Sequence, residues 1–233
     1  MQAKRGFVPD DIRNFSEEGI TKIHIASEDV RYLINHGYDL KSATTYVGNH
    51  FLLSERQRIA LMRSVCTDIQ QTERKEKEVS FSELNGQEVW IDGFNQIITL
   101  EVLCSHSVLL SCMDGCIRDL ASLRGSYRII PETDQAISMM LEVLKNAKVL
   151  KVNILLDEPV SNSGRLKTRI AEINEQKYEM SLDIQILKKV DGTLYEKENV
   201  ITSDSIILDH CKSWFNLSGL CVGKMGAQTV SVW

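Results

Sequence analysis

Val89-Trp90-Ile91-Asp92-Gly93-Phe94-Asn95 is the stretch that decides the predicted fold. Its first three residues are apolar and of strand type, and they lead directly into an acidic residue, a glycine and an amide. A β-strand that ends in this way carries Asp92 and Asn95 to the end of a sheet, where open α/β folds bind their ligands. The stretch therefore predicts a strand of an α/β sheet and a ligand site at its carboxyl end.

Other apolar runs of strand length follow, and helical segments separate them. Strands are predicted at 108–113, 149–156, 182–187, 200–201 and 229–232, with helices at 131–147, 165–176 and 208–215. Right-handed crossovers between parallel strands place the carboxyl ends of all strands on one edge of a sheet. Residues 79–233 are therefore predicted to form a Rossmann-like, three-layer α/β/α domain with a mostly parallel sheet.

The residues before Val79 have a different pattern. We divide them into an N-terminal arm at 1–26 and a small helical module with a charged linker at 27–78. The module contains three predicted helix N-caps: Ser27, Asp39 and Ser54. Ser54 also begins a capping box with Gln57.

Two roles are open for this helical module. It is typical of a small docking bundle, but it also permits a helix-turn-helix whose second helix would offer three arginines to DNA: Arg56, Arg58 and Arg63. Residues 68–78 are almost wholly polar, which fits either a solvated helix extension or a linker.

The composition sets limits on compartment and partners. Apolar and charged fractions of 43% and 25% are those of an ordinary globular protein. Six cysteines without an export signal indicate reduced thiols and a cytoplasmic location, and no apolar run approaches the roughly 20 residues that span a bilayer. The net charge of −5 argues mildly against tight nonspecific binding to nucleic acid.

Four aspartates follow predicted strands directly or nearly so: Asp92, Asp114, Asp157 and Asp204. Carboxylates gathered at one edge repel one another unless protons or cations neutralise them, and Mg²⁺ or Mn²⁺ prefers oxygen ligands of this type. The alternative is that aspartate ends strands because it favours turns, as in Asp114-Gly115 and Asp191-Gly192. Asp119 and Asp209 are alternates that fit solvated helical turns.

A second candidate site opens the helix predicted from residue 165. Ser161-Asn162-Ser163-Gly164 offers free backbone N–H groups to an anion, and Arg165 follows at once. We therefore predict that Ser161, Ser163 and Arg165 contact phosphate. An N-capped helix with a solvated basic face explains the same residues equally well.

Two further groups of side chains have simpler explanations. Solvation of a protein surface accounts for a spaced basic set: Arg118, Arg124 and Arg128. The cysteines near His106 have spacings too irregular for a structural zinc site, and we interpret them as buried free thiols: Cys104, Cys112 and Cys116.

Two longer motifs accompany residues 89–95: Leu-Leu-Asp-Glu-Pro-Val-Ser-Asn-Ser-Gly at 155–164 and Ile-Thr-Ser-Asp-Ser at 201–205. Together with Arg-Tyr-Leu-Ile-Asn-His-Gly-Tyr at 31–38, they resemble a prokaryotic family of uncharacterised proteins, the domain of unknown function 434. The resemblance covers residues 28–210 and implies no activity.

Asp-Gly-Phe-Asn at 92–95 and Thr-Ser-Asp at 202–204 are also similar to the NYN branch of PIN-like nucleases. That resemblance implies a Rossmann-like sheet and clustered acids that use Mg²⁺ or Mn²⁺ to cleave RNA. It implies that Asp92 and Asp204 are metal ligands, that Asp157 occupies the strand-end acidic position, and that Asn95 positions the first acid or the phosphate.

One acid of that pattern is missing. Such nucleases carry a further acid on a helix before the Thr-Ser-Asp segment, and the interval here offers Glu172, Glu175 and Asp183 outside any recognisable context. Either another acid substitutes for it, Asp114 or Glu132, or catalysis has been lost.

We therefore expect a PIN-similar, divalent-metal-dependent nuclease or phosphohydrolase that acts on RNA. The other hypothesis is a noncatalytic nucleic-acid or nucleotide-binding module with a helical docking or helix-turn-helix unit. No membrane partner is expected, and a homo-oligomer is compatible with the sequence.

Overall fold

The computed structural model describes residues 4–121 and 125–233. Arg124, from the spaced basic set, lies outside these ranges. Within them the strands are β1 (Glu88–Asp92), β2 (Leu109–Ser111), β3 (Ile117–Asp119), β4 (Lys151–Asp157), β5 (Leu182–Leu187), β6 (Val200–Ile201) and β7 (Val230–Ser231).

The helices of the described residues fall into two groups. The N-terminal group is α1 (Asp11–Asn14), α2 (Glu17–Asn35), α3 (Leu40–His50), α4 (Glu55–Ser64) and α5 (Asp68–Glu76). The group among the strands is a short 3₁₀ turn (Phe81–Leu84), α6 (Gly93–Cys104), α7 (Pro131–Asn146), α8 (Ser163–Lys177), α9 (Val190–Leu194), α10 (Ser205–His210) and α11 (Leu217–Met225).

The main sheet has four strands in the order β5-β4-β1-β6, and all neighbours are parallel. Val152, Ile154 and Leu156 belong to a large core shared with α6, α7 and α8, whereas Leu155 belongs to a second core with residues of α9 and α10. Helices therefore cover both faces of the sheet. The predicted α/β fold with a mostly parallel sheet, preceded by a helical region, is confirmed.

Two predicted strands lie outside the main sheet. The strand predicted at 108–113 corresponds to β2 (Leu109–Ser111), which pairs antiparallel with β3 and parallel with β7, the strand predicted at 229–232, in a separate three-stranded sheet. The prediction that Asp114 ends a strand of the main sheet is therefore wrong. Gly115 has φ +83° and closes the β2–β3 hairpin, so Asp-Gly at 114–115 is turn chemistry.

The helical region packs on that second sheet. Ile23, Ala60 and Leu61 of the helices share a core with Leu110 and Val232 of the sheet region. The division of the chain into separate domains stays a prediction.

Helix α2 begins earlier than predicted. Ser16 caps it by accepting a hydrogen bond of 3.2 Å from Gly19 N–H, whereas Ser27 lies buried inside the helix and donates to His24 O. The other two predicted caps are confirmed, since Asp39 accepts from Ser42 N–H and Ser54 forms its capping box with Gln57.

The polar stretch after α4 is helical. Thr67 and Gln70 form a second capping box there, which starts α5. No helix of the described residues is long and apolar enough to cross a membrane.

Candidate active site

Asp92 lies at the carboxyl end of β1 and is only 6% exposed. Its Oδ2 accepts a hydrogen bond of 2.9 Å from the Thr202 hydroxyl, which follows β6. Burial, together with the negative charges of Asp204, Asp157 and Asp191, raises the pKa of Asp92 to about 8, against the lowering effect of the Thr202 hydrogen bond. The metal-free site therefore holds a protonated carboxyl group near neutral pH.

Helix α6 starts immediately after Asp92 because Gly93 permits a very close approach to β4. A Cβ atom on Gly93 would lie 2.8 Å from Leu155 O and 2.6 Å from a methyl group of Leu156. The predicted Asp-Gly pair thus has a packing reason, since any larger residue would push the end of β1 away from β4.

Asn95 holds the segment that carries Asp204. Its Oδ1 accepts hydrogen bonds from the Ser203 backbone N–H at 2.9 Å and from the Ser203 hydroxyl at 3.0 Å. The Asp204 N–H donates to the Thr202 hydroxyl at 3.0 Å, and one Asp204 oxygen caps α10 by accepting from Ile206 N–H and Ile207 N–H. Thr202 therefore joins Asp92 to the backbone of Asp204.

Asp157 ends β4, beside β1, and its pKa is raised by burial and then by the charge of Asp191. Asp191 lies in the first turn of α9, and burial and the charge of Asp204 raise its pKa in turn. We call Asp92, Asp157, Asp191 and Asp204 the acidic group. Three of the predicted acids lie within electrostatic reach of one another, and Asp191 is a fourth member of this group.

Asp191 is the residue that sequence reasoning missed. The sequence predicts a turn at Asp191-Gly192, but Val190 and Leu194 are buried and make residues 190–194 a helical turn against the sheet. Those two apolar positions, four residues apart, were the available sequence signal.

Asp114 is placed in a different cluster. Its two oxygens accept hydrogen bonds from Arg118 at 2.9 and 2.6 Å and from Arg74 at 2.7 Å. Burial alone would raise the pKa of Asp114, but the two guanidinium groups bring it below its ordinary value. Asp114 is therefore neutralised by arginines and does not join the acidic group.

The two alternates pair with arginines, although Asp119 lines the same cavity as Asp204, and the proposed substitute lies apart. Asp119 pairs with Arg63, and Asp209 pairs with Arg74. Glu132 raises the pKa of Cys104, at the far end of α6 from Asp92. A helix of that length spans roughly 18 Å at about 1.5 Å per residue, so Glu132 does not complete the acidic group.

The carboxylates of the acidic group are chemically suited to bind a divalent cation, but their side chains do not converge on one point. Burial and neighbouring carboxylates raise the pKa values of Asp92, Asp157 and Asp191, and carboxylate oxygens are the type of ligand that Mg²⁺ prefers. In residues 4–121 and 125–233, however, no three Asp, Glu, His or Cys side chains come close enough together to hold an ion.

The described cysteines are free and buried, as predicted.

A cavity of about 300 Å³ adjoins the acidic group. Its lining includes Asn95, Ser203 and Asp204 from the site, together with Arg63 of α4 and Arg118 of β3. The helical region therefore supplies part of the wall beside Asp204.

The predicted phosphate contacts are arranged around the first turn of α8. Ser161 Oγ accepts a hydrogen bond of 3.0 Å from Tyr127 N–H, and Asn162 adopts a left-handed conformation with φ +63°. Asn162 donates to Tyr127 O and does not cap the helix. Ser163 begins α8, and the side chain of Arg165 is exposed.

The three arginines of the helix-turn-helix hypothesis point into the protein. Arg56 bonds to Asp11, Gly6 O and Leu120 O, whereas Arg58 bonds to carbonyl groups of residues 45–53. Arg63 bonds to Asp119 and Ala121 O. Guanidinium groups engaged in this way are poorly placed to contact DNA bases.

Two family descriptions match successive parts of the chain. Residues 22–77 match a protein of unknown function, DUF434, and residues 81–220 match a domain of unknown function, DUF5616. The predicted likeness to DUF434 is confirmed, but it covers the helical region alone and does not extend to residue 210.

The chain is also similar to an uncharacterized protein of Methanocaldococcus jannaschii. The two are 38% identical over 188 residues, which are 80% of this chain and 88% of that protein. No solved structure matches the chain.

Proposed function

This chain belongs to the family of the domain of unknown function DUF5616, and we propose that it is a divalent-metal-dependent phosphodiesterase that cleaves RNA. The observation that carries the proposal is the acidic group, in which burial and three neighbouring carboxylates raise the pKa of Asp92 to about 8. A site that concentrates uncompensated negative charge in this way lowers its free energy when it binds a cation.

The separation of the acidic side chains in this structure is consistent with the proposal. Without a cation, like charges favour side-chain conformations that keep carboxylates apart, and rotation about one or two side-chain bonds changes their separation by several ångströms. We therefore expect Asp92, Asp157, Asp191 and Asp204 to ligate Mg²⁺ or Mn²⁺ when it binds. The ion would supply stabilisation of charge on a phosphoryl oxygen and a more acidic bound water.

The proposal includes a PIN-like, Rossmann-like fold for residues 79–233. A parallel sheet with helices on both faces, and acids at the carboxyl ends of β1 and β4, supports it. Asp191 supports it further, because this acid stands on a helix before the Thr-Ser-Asp segment. Under the proposal Asp191 is the further acid, and neither Asp114 nor Glu132 is required.

The remaining residues have positioning or binding roles. Asn95 orients the 202–204 segment, which carries Asp204, through its hydrogen bonds with Ser203. Ser161, Ser163 and Arg165 are proposed to contact substrate phosphate at the start of α8. An RNA partner, a cytoplasmic location and a homo-oligomer stay predictions.

The experiment is a cleavage assay with purified protein, labelled RNAs and single-stranded DNAs, in Mg²⁺, Mn²⁺ or EDTA. We expect RNA cleavage that requires the metal, and loss of cleavage in Asp92→Asn and Asp191→Asn. Glu175→Gln is the matched control, because Glu175 is an exposed acid on α8 outside the acidic group.

Two results would overturn the nuclease proposal. One is the absence of metal-dependent cleavage on every substrate, and the other is cleavage that Asp92→Asn leaves unchanged. RNA binding without cleavage would favour the noncatalytic binding module.

A further inference from the structure

We propose that residues 4–8, together with Arg128, Ile129 and Arg165, bind a single-stranded nucleic acid. This surface leads the bound strand towards the cavity beside Asp204. We call this surface the arm face, defined by Lys4, Phe7, Arg128, Ile129 and Arg165. The inference rests on the proposed function only for the cleavage of the bound strand. Binding to the arm face is a separate step that can be measured without cleavage.

The N-terminal arm is held in place by buried contacts. Arg5 donates to the fully buried carboxylate of Glu101 at 2.8 Å and to Arg128 O at 2.6 Å, and its guanidinium lies 5.0 Å from the centre of the Tyr127 ring. Arg56 of α4 donates to Gly6 O at 2.7 Å. The positions of Lys4 and Phe7 on either side are therefore set by the fold.

The charge of this surface comes from cations that no carboxylate of the described residues neutralises. Arg5 pairs with Glu101, and Arg56 pairs with Asp11. Lys4, Arg128 and Arg165 have no carboxylate within ion-pair distance in the described ranges. On a chain with a net charge of −5, three such cations around adjoining cavities form a local site for a polyanion.

Apolar side chains are interleaved with these cations. Phe7 is 50% exposed, and Ile129 is 41% exposed. An exposed aromatic ring between cations is the arrangement on which unpaired bases stack while the phosphates follow the basic groove. Bases within a duplex are already stacked and paired, so this arrangement favours a single strand over a duplex.

The cavities adjoin one another and reach the acidic group. A cavity of about 540 Å³ includes Lys4, Phe7 and Arg128 in its lining, and a second of about 370 Å³ is lined by Arg128, Ile129, Asn162 and Arg165. They share Arg128. The larger one also shares Ala121 with the cavity that Asp204 lines, so the three cavities are linked through shared lining residues.

The test measures binding of a fluorescein-labelled oligouridine of about 12 nucleotides, a length within the range that such grooves cover. Asp92→Asn protein in EDTA serves as the background, which separates binding from cleavage. Fluorescence anisotropy is followed at several salt concentrations, and an RNA duplex of the same length is measured in parallel.

We expect Arg128→Glu combined with Arg165→Glu to weaken binding about tenfold or more and to reduce the salt slope by about 1.4, since each single-strand phosphate contact contributes about 0.7. Phe7→Ala should weaken binding about fivefold or more with an unchanged salt slope. Lys167→Glu is the matched control, because Lys167 is exposed two residues after Arg165 on α8 and lines neither cavity.

The proposal fails if the Arg128 and Arg165 variant binds as tightly as Lys167→Glu, if no oligonucleotide binds, or if the duplex binds as tightly as the single strand. Binding that depends on Phe7 and Arg128, without cleavage by the wild type, supports the arm face and overturns the nuclease. RNA cleavage that these substitutions leave unchanged supports the nuclease and overturns the arm face.

Discussion

The Thr202 hydroxyl donates a hydrogen bond of 2.9 Å to Oδ2 of Asp92, a residue 110 positions earlier in the chain. The same hydroxyl accepts from the Asp204 N–H at 3.0 Å. One side chain thus connects the ends of β1 and β6, and it lowers the pKa of a carboxyl group that burial raises.

Thr202→Val tests this connection. Removal of the hydroxyl leaves the buried Asp92 oxygen and the Asp204 N–H without their partner, and we expect a loss of about 1–3 kcal/mol in the free energy of unfolding. Urea unfolding at about pH 9, where Asp92 is ionised, is the measurement. Thr202→Ser keeps the hydroxyl and should lose much less, so equal losses in both variants would contradict the role of the bond.

Asp92→Asn should change the pH dependence of stability. The folded pKa of Asp92, about 8, lies above the ordinary value of 3.8, so the folded protein retains a proton that the unfolded chain releases between these two values. The free energy of unfolding of the metal-free wild type should therefore fall as pH rises through this window, by about 1.4 kcal/mol for each pH unit.

The Asp92→Asn variant has no proton to lose and should show a flatter profile. Urea unfolding in EDTA from about pH 4 to about pH 8 compares the two proteins. Saturating Mg²⁺ should flatten the profile of the wild type alone. Parallel profiles for wild type and variant in EDTA would contradict the raised pKa.

Asp191→Asn tests the acid that sequence reasoning missed. Its negative charge raises the pKa values of Asp157 and Asp92, so both should fall in the variant, as followed by carboxyl carbon chemical shifts in NMR titrations. The affinity for Mn²⁺, measured by calorimetry, should drop about tenfold or more. Glu175→Gln should change neither quantity, and unchanged Mn²⁺ affinity in Asp191→Asn would remove Asp191 from the site.

Asp114→Asn should destabilise the protein without affecting metal binding. Arg74 and Arg118 would remain buried without the carboxylate between them, a change that costs about 3–5 kcal/mol when one partner of a buried ion pair is removed. Because the folded pKa of Asp114 is lowered below 3.8, this stabilisation is present above that pH and is lost as pH falls through the folded value.

The measurement is urea unfolding of wild type and Asp114→Asn at neutral pH and in acid. The difference between the two proteins should shrink as the wild type is acidified. A difference that is constant down to acid, or an Mn²⁺ affinity that falls with the substitution, would contradict this assignment.

Gly93→Ala should loosen the junction between β1 and α6. The added methyl group would lie well inside van der Waals contact with β4, and overpacking of this kind costs about 1–3 kcal/mol. Gly164→Ala is the control, because a Cβ there meets nothing within 4 Å. Thermal unfolding compares them, and similar transition temperatures for both variants would contradict the close packing at Gly93.

Local patterns were sufficient for much of the fold. The caps at Asp39 and Ser54 and the strands β1, β4, β5 and β6 follow from side-chain chemistry within a few residues. For the same reason, the sequence by itself placed Asp92, Asp157 and Asp204 after apolar strands. It also identified the helical region and its likeness to DUF434.

Other features depend on residues far apart in sequence. Only the tertiary structure decided that β2 pairs with β7 in a second sheet, because hydrogen bonding between segments more than 100 residues apart leaves no local signal. The same holds for the contact of Asp114 with Arg74, for the position of Asp191 near the other acids, and for the ion pair between Arg5 and Glu101. Each of these contacts joins charged groups from distant elements that are buried together. This arrangement forms only when the whole core packs.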